Sequence, residues 1–216
     1  MSRRYLFAGL GVIALAVALA LPAIAQPGWR AGGRWGSGFS AQGTTVRGPV
    51  TIDTAVERVK AVLAASGYVD LVPKEVMEFS NHFYVLVVEK STGKGALELL
   101  VQRNGVVHPE PGPNMMWNTK YSSMGSGMMG QGMMGNRNPA TTMTVTGDKA
   151  LQIGQAYLDQ NLSGAKVEGA MQFYGYYTID FTVNGKIAGM LSVNGQTGQV
   201  WYHSWHGNFI QEIELG

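Results

Sequence analysis

The sequence predicts an α+β fold of two repeated units, each one helix packed on a small antiparallel β-sheet, and three observations lead there. Apolar residues recur at helical spacing twice, after Thr51 and again after Thr146, each time behind residues suited to capping. Each helical stretch is followed by runs of strand character closed by Thr-Gly or Asn-Gly turns. Thr92-Gly93-Lys94 with Val101 also aligns with Asn184-Gly185-Lys186 and Val193 at one constant offset, as an internal duplication would require. With 216 residues, 45% of them hydrophobic and 14% charged, the chain can bury a core, which excludes wholesale disorder.

Residues 1–25 are read as a signal peptide. Arg3 and Arg4 precede an apolar run from Tyr5 to Leu21, and Ala23-Ile24-Ala25 is a small-residue cleavage pattern. The run approaches the roughly 20 residues that span a bilayer, so without cleavage it would anchor the chain. Export to an extracytoplasmic compartment, periplasmic or secreted, is the expectation, with a mature chain beginning at Gln26 that N-terminal sequencing would reveal. Losing Arg3 and Arg4 lowers Lys+Arg from 16 to 14, equal to the 14 Asp+Glu, so the mature chain is neutral and lacks the basic footprint of a nucleic-acid binder. Residues 26–48, rich in Gly, Ser and Arg without an apolar period, read as a flexible linker.

The first unit is placed at residues 49–108. Ile52, Val56, Val59 and Leu63 form a helical stripe, Thr51 or Asp53 can cap it, and Gly67 marks its end. Strands are expected over residues 75–80, 83–89, 96–101 and 106–108, with turns at Thr92-Gly93 and Asn104-Gly105. In the second of these, Phe83, Val85 and Val87 alternate with Tyr84, Leu86 and Val88. The second unit, residues 142–210, repeats this order. Thr146 or Asp148 caps a helix carrying Ala150, Ile153, Tyr157 and Leu158, and strands are expected over residues 167–173, 177–183, 186–193 and 199–203. Each unit should own most of its core, and residues 211–216 are left as a tail.

Here the chain resembles the PepSY domain family. The resemblance lies in the capped helix with Ala55 or Ala150 in its first turns and in the strands Tyr84-Val85-Leu86-Val87 and Tyr177-Thr178-Ile179-Asp180. It lies also in the ending Leu191-Ser192-Val193-Asn194-Gly195-Gln196-Thr197-Gly198-Gln199-Val200. The first copy ends in Val101-Gln102-Arg103-Asn104-Gly105-Val106-Val107, one residue shorter and without the family's Asp and Thr. The resemblance implies small helix-on-sheet units in an exported or envelope protein, or a regulator or inhibitor of a secreted peptidase. It brings no catalytic residue.

Residues 109–141 form a Met/Gly-rich loop far longer than the usual ~4–6-residue connection. Seven of the 12 methionines lie in it: Met115, Met116, Met124, and the pairs Met128-Met129 and Met133-Met134 in a near repeat of period five. Thioethers are soft neutral donors that select Cu(I), and a glycine-rich chain can fold several around one ion. The same composition also suits a low-complexity linker or an adhesive segment. Imidazole is a further copper ligand, so His108, His203 and His206 join the candidate ligand set. On a continuing strand His203 and His206 would face opposite ways and read as structural histidines at a strand end, and only a turn at Ser204-Trp205 would let them converge. His82 reads as an exposed turn residue, and Met77, Met143, Met171 and Met190 as fillers of core gaps.

No phosphate-binding glycine loop, G-x-S-x-G or H-E-x-x-H is present, and the chain has no cysteine, which removes disulfides, thiolate metal sites and thiol nucleophiles. The function expected from sequence is therefore non-enzymatic: an exported PepSY-type protein that binds a soft ion such as Cu(I), or alternatively a peptidase regulator.

Overall fold

The computed structural model describes residues 49–122 and 142–216. Residues 1–48, read above as a signal peptide and linker, and the loop methionines Met124, Met128, Met129, Met133 and Met134 lie outside the described residues.

Helix α1 spans Ile52–Ala65 and begins where the Thr51 side chain accepts the Thr54 N–H, satisfying one of the free donors of the first turn. It buries Ala55, Val56, Val59 and Leu63. Strands β1 (Leu71–Phe79), β2 (His82–Glu89), β3 (Gly95–Gln102) and β4 (Val107–Pro109) follow as an antiparallel meander. A short helix, α2 (Pro113–Met116), comes next. In the second half, α3 (Gly147–Asn161) is capped by Thr146, whose side chain accepts the Lys149 N–H. Strands β5 (Ala165–Gln172), β6 (Tyr176–Val183), β7 (Lys186–Asn194) and β8 (Val200–Tyr202) form a second antiparallel meander, and β9 (Phe209–Glu214) ends the order. Between β6 and β7, Asn184 and Gly185 both take positive φ, 53° and 72°, the backbone that a two-residue hairpin turn demands.

The sheets run β4-β3-β2-β1-β9 and β5-β6-β7-β8. They meet face to face. Val76, Phe83, Val85, Val87, Leu97, Leu99 and Val101 turn one face of the first sheet to α1. The opposite face, with Met77, Phe79, Tyr84, Leu86, Val88 and Leu100, packs on Phe173, Tyr176 and Met190 from the second half. The far face of the second sheet, with Tyr177, Ile179, Phe181, Leu191 and Val193, packs on Ala150 and Leu158 of α3. Large side chains buried between the sheets each contribute about 1.5–3 kcal/mol of transfer free energy, so this shared layer is a main source of stability.

The structure therefore corrects the expected fold class. The described chain is mostly β, two antiparallel sheets of five and four strands with few helices, and not two repeated helix-on-sheet units. Two features overturn the repeat. The middle core belongs to both halves, and β9 leaves the second half to pair with β1, matching Glu75–Phe79 with Glu214–Phe209. Residues 211–214, read as a tail, lie in that strand. The physical reason is that β2 is buried along its whole length, a pattern possible only when both faces of a sheet are covered.

Candidate metal centre

Two segments from distant parts of the chain deliver side chains to one buried point, and a third holds them there. The first follows β4. The Glu110 N–H continues the ladder by donating to the Glu98 carbonyl (2.8 Å), and the Asn114 side chain then pairs with the Glu98 backbone, accepting its N–H and donating to its carbonyl. Asn118 likewise donates to the Ala96 carbonyl. These amides let a non-strand segment run along β3, so Glu110 is held inside the fold with no exposure.

The second segment follows β8, where the His203 N–H donates to the Met190 carbonyl on β7 (3.0 Å). A turn at Ser204 and Trp205 then reverses the chain. The β1–β2 hairpin holds this turn: Asn81 donates to the Trp205 carbonyl (2.9 Å), and the Ser80 hydroxyl accepts the Asn208 N–H (3.1 Å). His203 and His206 thereby converge on Glu110. His206 Nε2 lies 3.0 Å and His203 Nδ1 3.5 Å from Glu110 Oε1, and the two nitrogens are 3.4 Å apart. A tetrahedral ion with ligands at ~2.0–2.1 Å has ligand-to-ligand edges of about 3.3 Å, so the three donors already have the spacing of one face of such a site. One ligand atom from each of the three residues lies within 4.8 Å of the others, and this buried group could hold a metal ion.

The second ring nitrogens are also committed. His206 Nδ1 bonds to His82 Nε2 (2.8 Å), and His203 Nε2 to Ser192 Oγ (2.9 Å), which continues through Thr178 to Glu98. If the metal-facing nitrogens are bare, the outer ones carry the protons and donate, the arrangement that orients metal-bound imidazoles. Aromatic rings brace the site: Phe79 stacks on His206 at 4.5 Å and Trp205 on His203 at 4.7 Å. Trp205 Nε1 donates to Glu110 Oε1 (3.0 Å), whereas the buried Glu110 Oε2 has no partner. A buried carboxylate oxygen without a donor is costly, and a cation would satisfy it.

The electrostatics agree with an ionised carboxylate among imidazoles. Burial opposes charge on Glu110, but His203 and His206 beside it hold its pKa well below the usual carboxylate range. Burial also opposes charge on His203, and Glu110 outweighs it, raising the ring's pKa. His206 is pushed down, chiefly by burial, and His82 falls to about 3 through burial and then His206. Deeper in, Glu98 accepts from the hydroxyls of Tyr84, Tyr176 and Thr178, and burial followed by the Glu110 charge raises it to about 7.

Of the sequence-derived ligand set, His203 and His206 are brought together. His108 is not part of this group: its Nδ1 donates to the Pro109 carbonyl (2.9 Å) and its Nε2 meets the Gln102 amide (2.7 Å). Met115 is buried in α2, its carbonyl accepting the Ser122 hydroxyl, and Met116 ends that helix. Sequence reasoning missed Glu110, although it is the sole acid in residues 109–141. It also placed His82 on the surface, whereas the ring is 5% exposed and bonded to His206. No protein-family model, curated protein or solved structure matches this chain.

Proposed function

We propose that this chain is an extracytoplasmic metal-binding protein whose ion sits between Glu110, His203 and His206. The observation that carries the reading is the convergence of two imidazoles on one oxygen of the buried Glu110 carboxylate, whose second oxygen has no partner. Two nitrogens and an oxygen suit a borderline divalent ion, Zn(II) or Cu(II), better than Mg(II) or Ca(II), which require more oxygens. All three ligands are at most 3% exposed, which favours holding an ion over turning over a bulky substrate. The export reading of residues 1–25 and the PepSY resemblance belong to the same proposal and rest on the sequence.

A second reading is that Met124, Met128, Met129, Met133 and Met134 bind Cu(I), favoured by their period-five repeat in a chain with no cysteine. Titrating metal-free protein with Zn(II), Cu(II) and Cu(I) under native mass spectrometry separates the two. One divalent ion per chain is expected. Glu110→Gln or His206→Ala should weaken it by more than the ~10–100-fold of a lost outer-shell partner. Replacing the five methionines by Ile should abolish Cu(I) binding alone. Divalent titration identical in wild type and His206→Ala would remove the buried centre from consideration.

A further inference from the structure

Apart from the metal centre, the space between the sheets holds a cavity of about 210 Å³. Its walls include Leu86, Ala170, Met171 and Met190, and it also presents two carboxylates, Glu75 from β1 and Asp180 from β6. The register of β5 shifts between Val167 and Ala170, and that of β1 between Pro73 and Glu75, so irregular strand segments border this space.

Among the described residues, neither carboxylate is held in an ion pair. Asp180 Oδ1 is buried without a hydrogen-bond partner. Glu75 stands directly opposite Glu214 in the β1–β9 ladder, with Glu212 opposite Met77 two positions along. Carboxyl groups facing across a ladder can ionise together without penalty only if a cation intervenes. Among the described residues none of Glu75, Asp180, Glu212 and Glu214 takes part in an ion pair.

We propose that this cavity binds a small linear aliphatic amine, its ammonium group on Asp180 and Glu75 and its carbon stem against Leu86, Met171 and Met190. Size supports the assignment: at roughly 30 Å³ per water-sized group, the cavity takes about seven heavy atoms. A metal ion fits less well, because no third His, Asp or Glu among the described residues converges on these two carboxylates as it does at Glu110. The Tyr84 and Thr178 hydroxyls on the cavity walls are committed to Glu98, and Leu86 and Ala170 offer nothing to a hydrated divalent ion, whereas an ammonium head with a hydrocarbon stem uses both kinds of surface. Glu110, His203 and His206 do not line this cavity.

Isothermal titration of the full chain with 1-aminobutane, 1,4-diaminobutane, 1-butanol and Ca(II) tests it. One amine per chain should bind, at least tenfold tighter than butanol. Asp180→Asn should reduce amine affinity at least tenfold, and Met171→Phe, which fills the cavity, should abolish it while Zn(II) binding at Glu110 persists. If Asp180→Asn does not fold, Glu75→Gln at its half-buried position carries the same expectation. Absence of amine binding, butanol binding as tightly as the amine, Ca(II) binding more tightly than the amine, or unchanged affinity in a folded carboxylate variant would each overturn the proposal.

Discussion

His82 shows how one side chain acquires a role that its neighbours in sequence do not disclose. It opens β2 after the Ser80-Asn81 turn, where an exposed polar residue is the ordinary expectation. The segment after β8 covers it, and its Nε2 becomes the partner of His206 Nδ1 across 124 positions of sequence. The ring therefore sets which nitrogen of His206 faces Glu110. His82→Ala is expected to lower divalent metal affinity by about 10–100-fold while leaving stoichiometry at one ion. Competition against a chromophoric chelator measures this, and an unchanged dissociation constant would mean that His206 is oriented by Phe79 stacking alone.

At the scale of elements, β9 is the piece that the duplicated-unit reading could not supply. It covers the edge of β1 beside Glu75–Phe79, and Phe209 meets the Phe79 ring edge-on at 5.9 Å. Phe79 in turn stacks on His206, so the strand supports the site through one ring. Ending the chain after Asn208 should bare the β1 edge and lower the melting temperature by several degrees or more, with β1 amides losing hydrogen-exchange protection first. A truncated chain that melts with the full one would show β9 to be dispensable.

Across the whole molecule, the pH dependence of stability follows from buried acids in opposite environments. Burial, then Glu75 and Glu212, raises Asp180 to about 8, and burial, then Glu212 and Glu214, raises Glu75 to about 7. Lys74 opposes the shift at Glu75, and His203 that at Asp180. The folded state therefore holds protons that the unfolded chain releases near its ordinary carboxylate pKa, so this contribution is complete below about pH 4 and is lost as pH rises to about 8. Glu89 behaves oppositely. It is 1% exposed, and although burial opposes its charge, donors from Lys120, Tyr121, Tyr174 and Thr92 lower it to about 2. Its contribution is present above the ordinary Glu value and disappears as pH falls towards 2. Urea midpoints should peak in mildly acidic solution and fall between pH 5 and 8, and Asp180→Asn should flatten the alkaline limb. A midpoint that rises steadily from pH 5 to 8 would contradict this account.

Signals that act within a few residues were legible from the chain alone. The Thr51 and Thr146 caps, the apolar stripe of α1 and the Asn184-Gly185 hairpin each depend on local backbone preference. Even the second covered face of the first sheet left a trace, because Phe83 to Val88 is apolar on both alternations, which a half-exposed strand would not be. What covers that face, where residues 209–214 go, and that Glu110 and His82 join His203 and His206 were decided only by tertiary structure. Pairing and burial between remote segments depend on which surfaces meet once the elements exist, and the period of a single strand or the spacing of a short motif carries no record of its partner.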